Sequence, residues 1–133
     1  MTEELYDVFV YGTLLVGESN HHIAKPYIRQ VKKGKVRGFL YHVGSYPAII
    51  LDSKGMEILG EWLTVTKEGL RQMDLLEEYD EWGTNNEYHR VKVSDINLAH
   101  EGFVYVYSNE QVKQLDLIES GSWRIFVKKN VQK

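Results

Sequence analysis

An apolar run that stops at a glycine sets the tightest limit on how this chain can fold. Val8, Phe9, Val10 and Tyr11 are β-branched or aromatic, so they favour extended backbone and form a buried strand. Gly12 follows at once and permits a bend that other residues resist, leading into Thr13 and Leu14. A buried strand ending in such a turn can leave peptide N–H groups facing a cleft, where they can hold an anion or a carbonyl oxygen.

The rest of the chain bounds what that cleft can serve. Its 133 residues suit a single domain spanning 1–133, and 43% hydrophobic residues suffice for a core. A net charge of −3 argues against a dedicated nucleic-acid binder and leaves small polar substrates as partners. With no cysteine, disulfides, thiolate catalysis and zinc–thiolate sites are excluded, and a cytoplasmic location fits. The start, Met1-Thr2-Glu3-Glu4, lacks the basic opening and apolar run of a signal peptide. No apolar run approaches the roughly 20 residues that cross a bilayer, so no membrane partner is expected.

Residues 5–11 are expected as a buried strand, and Asn20 as the cap of a short helix from His21 that stops near Pro26. Residues 29–43 alternate loosely, as one long strand or as two broken near Gly34 and Gly38. Gly44-Ser45-Tyr46-Pro47 is a turn whose Tyr46–Pro47 bond is a candidate for cis. Residues 48–51 and 58–65, joined by the turn Asp52-Ser53-Lys54-Gly55, are expected to pair as a hairpin. Thr66 caps a helix over 67–79, with Glu68 at its positive end. Residues 80–86 form a polar loop with Trp82 and Gly83; 87–93 and 103–107 are strands. Residues 110–119 read as a short helix and 123–127 as a last strand or extended segment. The order predicts an α+β fold, with a curved, mostly antiparallel sheet or small barrel flanked by the 67–79 helix.

Glu77 lies four residues after Met73 and seven after Leu70, on the apolar face of that helix. A carboxyl facing the core is desolvated, which raises its pKa and suits it to proton transfer near neutrality. At the edge of the stripe it would instead reach solvent. Asp74, on a neighbouring part of the wheel, either pairs with Glu77 for acid–base work or makes a structural hydrogen bond. Residues 12–19 have the glycine spacing of a P-loop, but Glu18 stands where lysine should be and would repel phosphate. The histidines are scattered, and the adjacent His21 and His22 point about 100° apart on a helix, so no metal site is expected. Tyr88, Tyr105 and Tyr107 are strand aromatics, some able to offer hydroxyls to a polar ligand.

In order along nearly the whole chain, these segments resemble the γ-glutamylcyclotransferase-like (AIG2-like) family. The resemblance is carried by residues 8–14, by Gly17-Glu18-Ser19-Asn20-His21, and by Gly38-Phe39-Leu40-Tyr41 with Gly44-Ser45-Tyr46-Pro47-Ala48. It continues through Gly60-Glu61-Trp62, Met73-Asp74-Leu75-Leu76-Glu77-Glu78-Tyr79, Tyr88 with Arg90, residues 104–107 and Ser120-Gly121-Ser122-Trp123. The chain departs from the family in having Glu78 where Gly is frequent, and in a longer loop up to Glu87.

The resemblance implies a γ-glutamylcyclotransferase-like fold, a small mixed, largely antiparallel β-barrel with flanking helices. It implies a cavity between the Tyr11-Gly12-Thr13-Leu14 turn and the 67–79 helix, with Glu77 as the acid–base residue. The substrate would be a γ-glutamyl amide that cyclises to 5-oxoproline and frees an amine, with no metal or other cofactor. Tyr11, Gly12, Thr13 and Leu14 would bind substrate, and Tyr88, Arg90 and Tyr107 are further candidates to line the site. The alternatives are a non-catalytic domain of the same fold that binds a small metabolite, and an enzyme acting on a larger γ-glutamyl conjugate.

Overall fold

The computed structural model describes residues 3–79 and 86–131. A single sheet organises the chain. Its strands are β1 (Leu5–Val10), β2 (Ile28–His42), β3 (Pro47–Leu51), β4 (Met56–Thr66), β5 (His89–Ser94), β6 (Glu101–Val106) and β7 (Asp116–Leu117). The strand order is β3-β2-β4-β1-β6-β5, and β7 pairs with β2. Among the described residues only β1 with β6 runs parallel; the other pairs are antiparallel. The helices are α1 (His21–Ala24), followed by a 3-10 turn (Lys25–Tyr27), then α2 (Lys67–Leu76) and α3 (Trp123–Val131).

The apolar run of β1 sits in the middle of the sheet, between β4 and β6, which is why it needs no polar face. Val8 and Phe9 are fully buried, and Phe9 meets Trp62 of β4 edge-on with centroids 5.4 Å apart. The indole N–H of Trp62 donates to Asp95 at 2.8 Å, so the polar end of this core residue is satisfied. The sheet curls into a half-barrel. The Tyr107 N–H, just past β6, donates to the Ile49 carbonyl of β3 at 3.1 Å and draws the far strands together.

Several local expectations are corrected. β2 is one strand with a register shift near its start; Gly34 and Gly38 do not break it but make room. A Cβ on Gly34 would lie 2.4 Å from the Trp62 ring, and one on Gly38 would lie 2.2 Å from the Ile50 carbonyl oxygen. The 48–65 hairpin does not form: β2 lies between β3 and β4, and the hairpin is β2–β3 through the turn closed by the Val43 N–H on the Tyr46 carbonyl. The Tyr46–Pro47 bond is trans. Asn20 precedes α1, but its side chain donates to Thr13 instead of capping the helix.

The C-terminal third differs most. Residues 110–115 form successive turns, not a helix, because β7 pairing with Tyr41 and His42 draws the chain back to β2. The segment from Trp123 is a helix, not a strand. Trp123, Phe126 and Val127 fall on one helical face, and the Ser122 hydroxyl accepts from the Ile125 N–H at 3.3 Å at its start. Of the polar loop expected over 80–86, residues 80–85, with Trp82 and Gly83, lie outside the described residues.

Helix α2 places the site. Thr66 caps it by accepting from the Gly69 N–H, and Glu68 in the first turn pairs with Arg71 at 2.6 Å. Leu70 and Met73 bury its inner face against β4 and β1. The helix stops at Leu76, three residues short of the expected end. Glu77 closes it with its N–H on the Met73 carbonyl, and Glu78 turns into the left-handed region at φ 54°.

Candidate active site

The turn after β1 is fixed from its outer side. The Leu15 N–H donates to the Gly12 carbonyl at 3.1 Å and the Asn20 N–H to the Thr13 carbonyl at 2.8 Å. The His21 ring donates through Nδ1 to the Leu14 carbonyl at 2.9 Å, since a carbonyl can only accept. Glu61, a buried acid on β4, accepts from the Val16 N–H at 2.9 Å and is held by Arg124 at 3.1 Å. The N–H groups of Gly12, Thr13 and Leu14 have no acceptor among the described residues.

Those three residues line a cavity of about 350 Å³ together with Tyr11, Tyr88 and the end of α2, including Glu77. Gly12 is required there by space. Pro47 lies so close that a Cβ on Gly12 would be 2.4 Å from its Cγ.

Glu77 is half-buried and points to this cavity, and no donor among the described residues is bonded to its carboxyl. Burial first, and then the charge of Glu87, push its pKa up to about 8. Two phenols stand near it. Tyr11 donates its hydroxyl proton to the Tyr105 carbonyl and Tyr88 donates to the Pro47 carbonyl, each at 2.6 Å. Burial raises both far above the ordinary tyrosine range, and the charge of Glu77 adds to it. With their protons committed to carbonyls, these phenols can offer only lone pairs to a ligand, which suits an ammonium group.

Two expected site residues lie elsewhere. Arg90 is not among the lining residues. Its guanidinium pairs with Asp74 at 2.6 Å and lies over the rings of Tyr79 and Phe103, at 5.1 and 4.7 Å from their centroids. The other oxygen of Asp74 accepts from the Tyr105 hydroxyl at 2.5 Å, so Asp74 is a structural anchor for the end of α2 and not a partner of Glu77. Tyr107 also stays off the lining, with its hydroxyl donated to Glu87.

Sequence reasoning missed Glu87 and Tyr46, both of which line the cavity. Tyr46 donates to Glu87 at 2.7 Å. Burial would raise the Glu87 carboxyl, but hydrogen bonds from Tyr107, Tyr46 and Glu78 outweigh it and hold it below the ordinary carboxylate value. Glu78 is raised by that same bond and by the charge of Glu87. Nothing in the local pattern around residue 87 marks it, because its partners are 20 and 41 residues away in sequence. Among the described residues no cluster of His, Asp and Glu is arranged to hold a metal ion.

A curled mixed sheet that sets a desolvated acid and a glycine turn on one cavity defines a small half-barrel protein with an acidic cleft. The chain belongs to the gamma-glutamyl cyclotransferase, AIG2-like family, whose model matches residues 8–125. A gamma-L-glutamyl-butirosin B gamma-glutamyl cyclotransferase from Niallia circulans is 36% identical over 108 residues, 78% of this chain and 68% of that protein. The fold is that of an AIG2-like protein from Mus musculus (TM-score 0.63, 23% identity, 87% of each chain). A Pyrococcus horikoshii protein shares it too (TM-score 0.70, 19% identity, 96% of this chain and 97% of that one). The family expected from the sequence is therefore the family of this protein, a γ-glutamylcyclotransferase-like enzyme.

Proposed function

We propose that this protein cleaves γ-glutamyl amides by cyclisation, releasing 5-oxoproline and a free amine, with Glu77 as general acid and base. The observation that carries the proposal is the shared cavity. An unbonded, desolvated carboxyl and a glycine turn whose N–H groups have no acceptor among the described residues line one space.

Glu77 takes a proton from the substrate's α-ammonium, and the freed amine attacks the γ-carbonyl of the same molecule. The ring C–N bond forms and the amide C–N bond breaks. Glu77 returns that proton to the departing nitrogen, then takes the second proton that the ring nitrogen sheds on becoming an amide and passes it to the freed amine, which leaves as an ammonium, so charge and protons balance. Because nucleophile and electrophile share one molecule, little entropy remains to be overcome. The turn N–H groups of Gly12, Thr13 and Leu14 hold the α-carboxylate or the developing oxyanion. Tyr11 and Tyr88 accept from the α-ammonium and orient it. This chemistry calls for no cofactor.

The larger-conjugate reading also has an observation in its favour. A second hollow of about 670 Å³, walled by His42, Trp123 and Phe126, shares Thr13, Ser19 and Ser45 with the first. A leaving amine bigger than an amino acid has room there. Incubating the protein with a panel of γ-glutamyl amino acids, amines and bulky conjugates, with 5-oxoproline followed by mass spectrometry, tests both. Release from any member supports cyclisation, and silence across the panel overturns it.

A further inference from the structure

The second hollow, beside the acidic cleft, is walled by a pile of rings. His42, at the end of β2, stacks on Phe126 with centroids 4.8 Å apart and planes 25° apart. Phe126 in turn stacks on Trp123 at 5.5 Å and 26°. Trp123, Phe126 and Val127 share one face of α3, and all three line the hollow. Trp123 is buried, but Phe126 and Val127 are half-buried and the His42 side chain keeps 30% of its exposure, so the outer part of the pile is open to a ligand. The ionisable groups of this lining are already engaged. Glu18 lies 3.8 Å from Arg124, and His42 lies 3.6 Å from Asp116. Among the described residues the lining holds no Lys or Arg. Such a wall suits a neutral, flat group, which gains from ring contact beyond the area it buries. Thr13 sets what can reach it. Its N–H belongs to the glycine turn, and it lines both hollows, with Ser19 and Ser45. A substrate with its γ-carbonyl at the turn can extend its leaving half past Thr13 to the rings.

We infer that the His42–Phe126–Trp123 wall is the subsite for the leaving half, and that it favours γ-glutamyl amides whose departing amine carries a neutral aromatic ring. The inference rests on the cyclotransferase reading of the first cavity and names the substrate class within it. The glutamyl half is the same in every substrate, so discrimination must come from the leaving half. A saturated ring of similar size buries similar area but has no π-face to set against the pile. No step of the reaction changes; the rings act on binding.

The test compares γ-L-glutamylbenzylamide with γ-L-glutamyl(cyclohexylmethyl)amide, which match in charge, nearly match in bulk and differ in the ring. With the unaltered protein, kcat/KM for 5-oxoproline release favours the benzyl compound by about three- to tenfold, the range that ring contact adds to area burial. The advantage lies in KM and persists at high salt, because no charge is involved. Phe126→Leu keeps an apolar side chain on the helix face and removes the middle ring, and the ratio falls toward one. Equal efficiency, or preference for the cyclohexyl compound, in the unaltered protein overturns the inference whether or not the variant folds. A folded Phe126→Leu that keeps the full preference also overturns it. Calorimetric titration of both compounds into Glu77→Gln separates this idea from the one beneath it. Tighter binding of the benzyl compound, with no 5-oxoproline from either compound in the unaltered protein, sinks the cyclotransferase reading and upholds the ring wall. Release from both at equal efficiency does the reverse, and neither release nor a binding preference sinks both.

Discussion

Gly12 and Pro47 approach so closely that no side chain fits between them: a Cβ at position 12 would stand 2.4 Å from the Pro47 Cγ and 2.6 Å from its Cδ. The contact ties the turn after β1 to the start of β3, and both residues line the cavity. A proline ring has little freedom to yield. Gly12→Ala should therefore destabilise the fold by about 1–3 kcal/mol, as overpacking does, and lower kcat/KM by displacing the turn N–H groups. Urea unfolding together with 5-oxoproline release checks both effects. Unchanged stability would show that the strands part to admit the methyl.

Glu77→Gln keeps the shape of the side chain and removes its proton chemistry. The expected loss in kcat is about 10²–10⁴-fold, the usual contribution of one general acid–base group. Circular dichroism should show an intact fold. Near-normal turnover in the variant would exclude the proposed role.

The rate should climb with pH as Glu77 ionises. Its carboxyl titrates near 8, raised by burial and by Glu87, so the acidic limb of kcat/KM should bend well above the ordinary carboxylate value of 4.5. Removing the Glu87 charge by Glu87→Gln should move that limb to lower pH. A limb that stays put would assign it to another group.

Stability should run the opposite way. The folded value of Glu77 exceeds its ordinary one, so the folded protein holds the proton more tightly than the unfolded chain does. The contribution is fully present below about pH 4.5 and is lost as pH rises toward about 8. Glu77→Gln never ionises, so at pH 9 it should be more stable than the parent by about 1–2 kcal/mol, discounted for the carboxyl's access to the cavity. At pH 5 the two should nearly coincide in denaturant melts.

Arg90→Met separates two roles for Arg90. The structure buries its guanidinium against Asp74, with side-chain exposures of 13% and 22%. Removing it strands a largely shielded carboxylate and should cost about 1–3 kcal/mol. Any kinetic loss should fall on kcat, because Asp74 and Tyr105 anchor the helix end that carries Glu77. A raised KM with stability intact would instead place Arg90 in contact with substrate.

What could be seen in the sequence was local. Thr66 and Glu68 signal the start of α2 through a cap and a dipole, both made within one turn. Leu70, Met73 and Glu77 share a face by helical period alone. The error over 48–65 arose because a turn signal says that the chain reverses, not which strand it pairs with. The error at 123–127 arose because Trp123, Ile125, Phe126 and Val127 are all strand formers, while their helical spacing fits a groove that only the folded sheet supplies. Glu87 carried no local mark at all.

The sequence by itself determined the central strand with its glycine bend, the capped helix, the position of Glu77 and the family, because each depends on neighbours within a few residues or on an ordered set of short segments. Only the tertiary structure decided that β2 parts β3 from β4, that Arg90 and Asp74 brace the helix end, that Glu78, Glu87 and Tyr46 converge at the cavity, and that Tyr107 holds Glu87 from off its lining. Those contacts join residues far apart in the chain. They are fixed by the curl of the sheet and by the burial that follows from it, which no local pattern encodes.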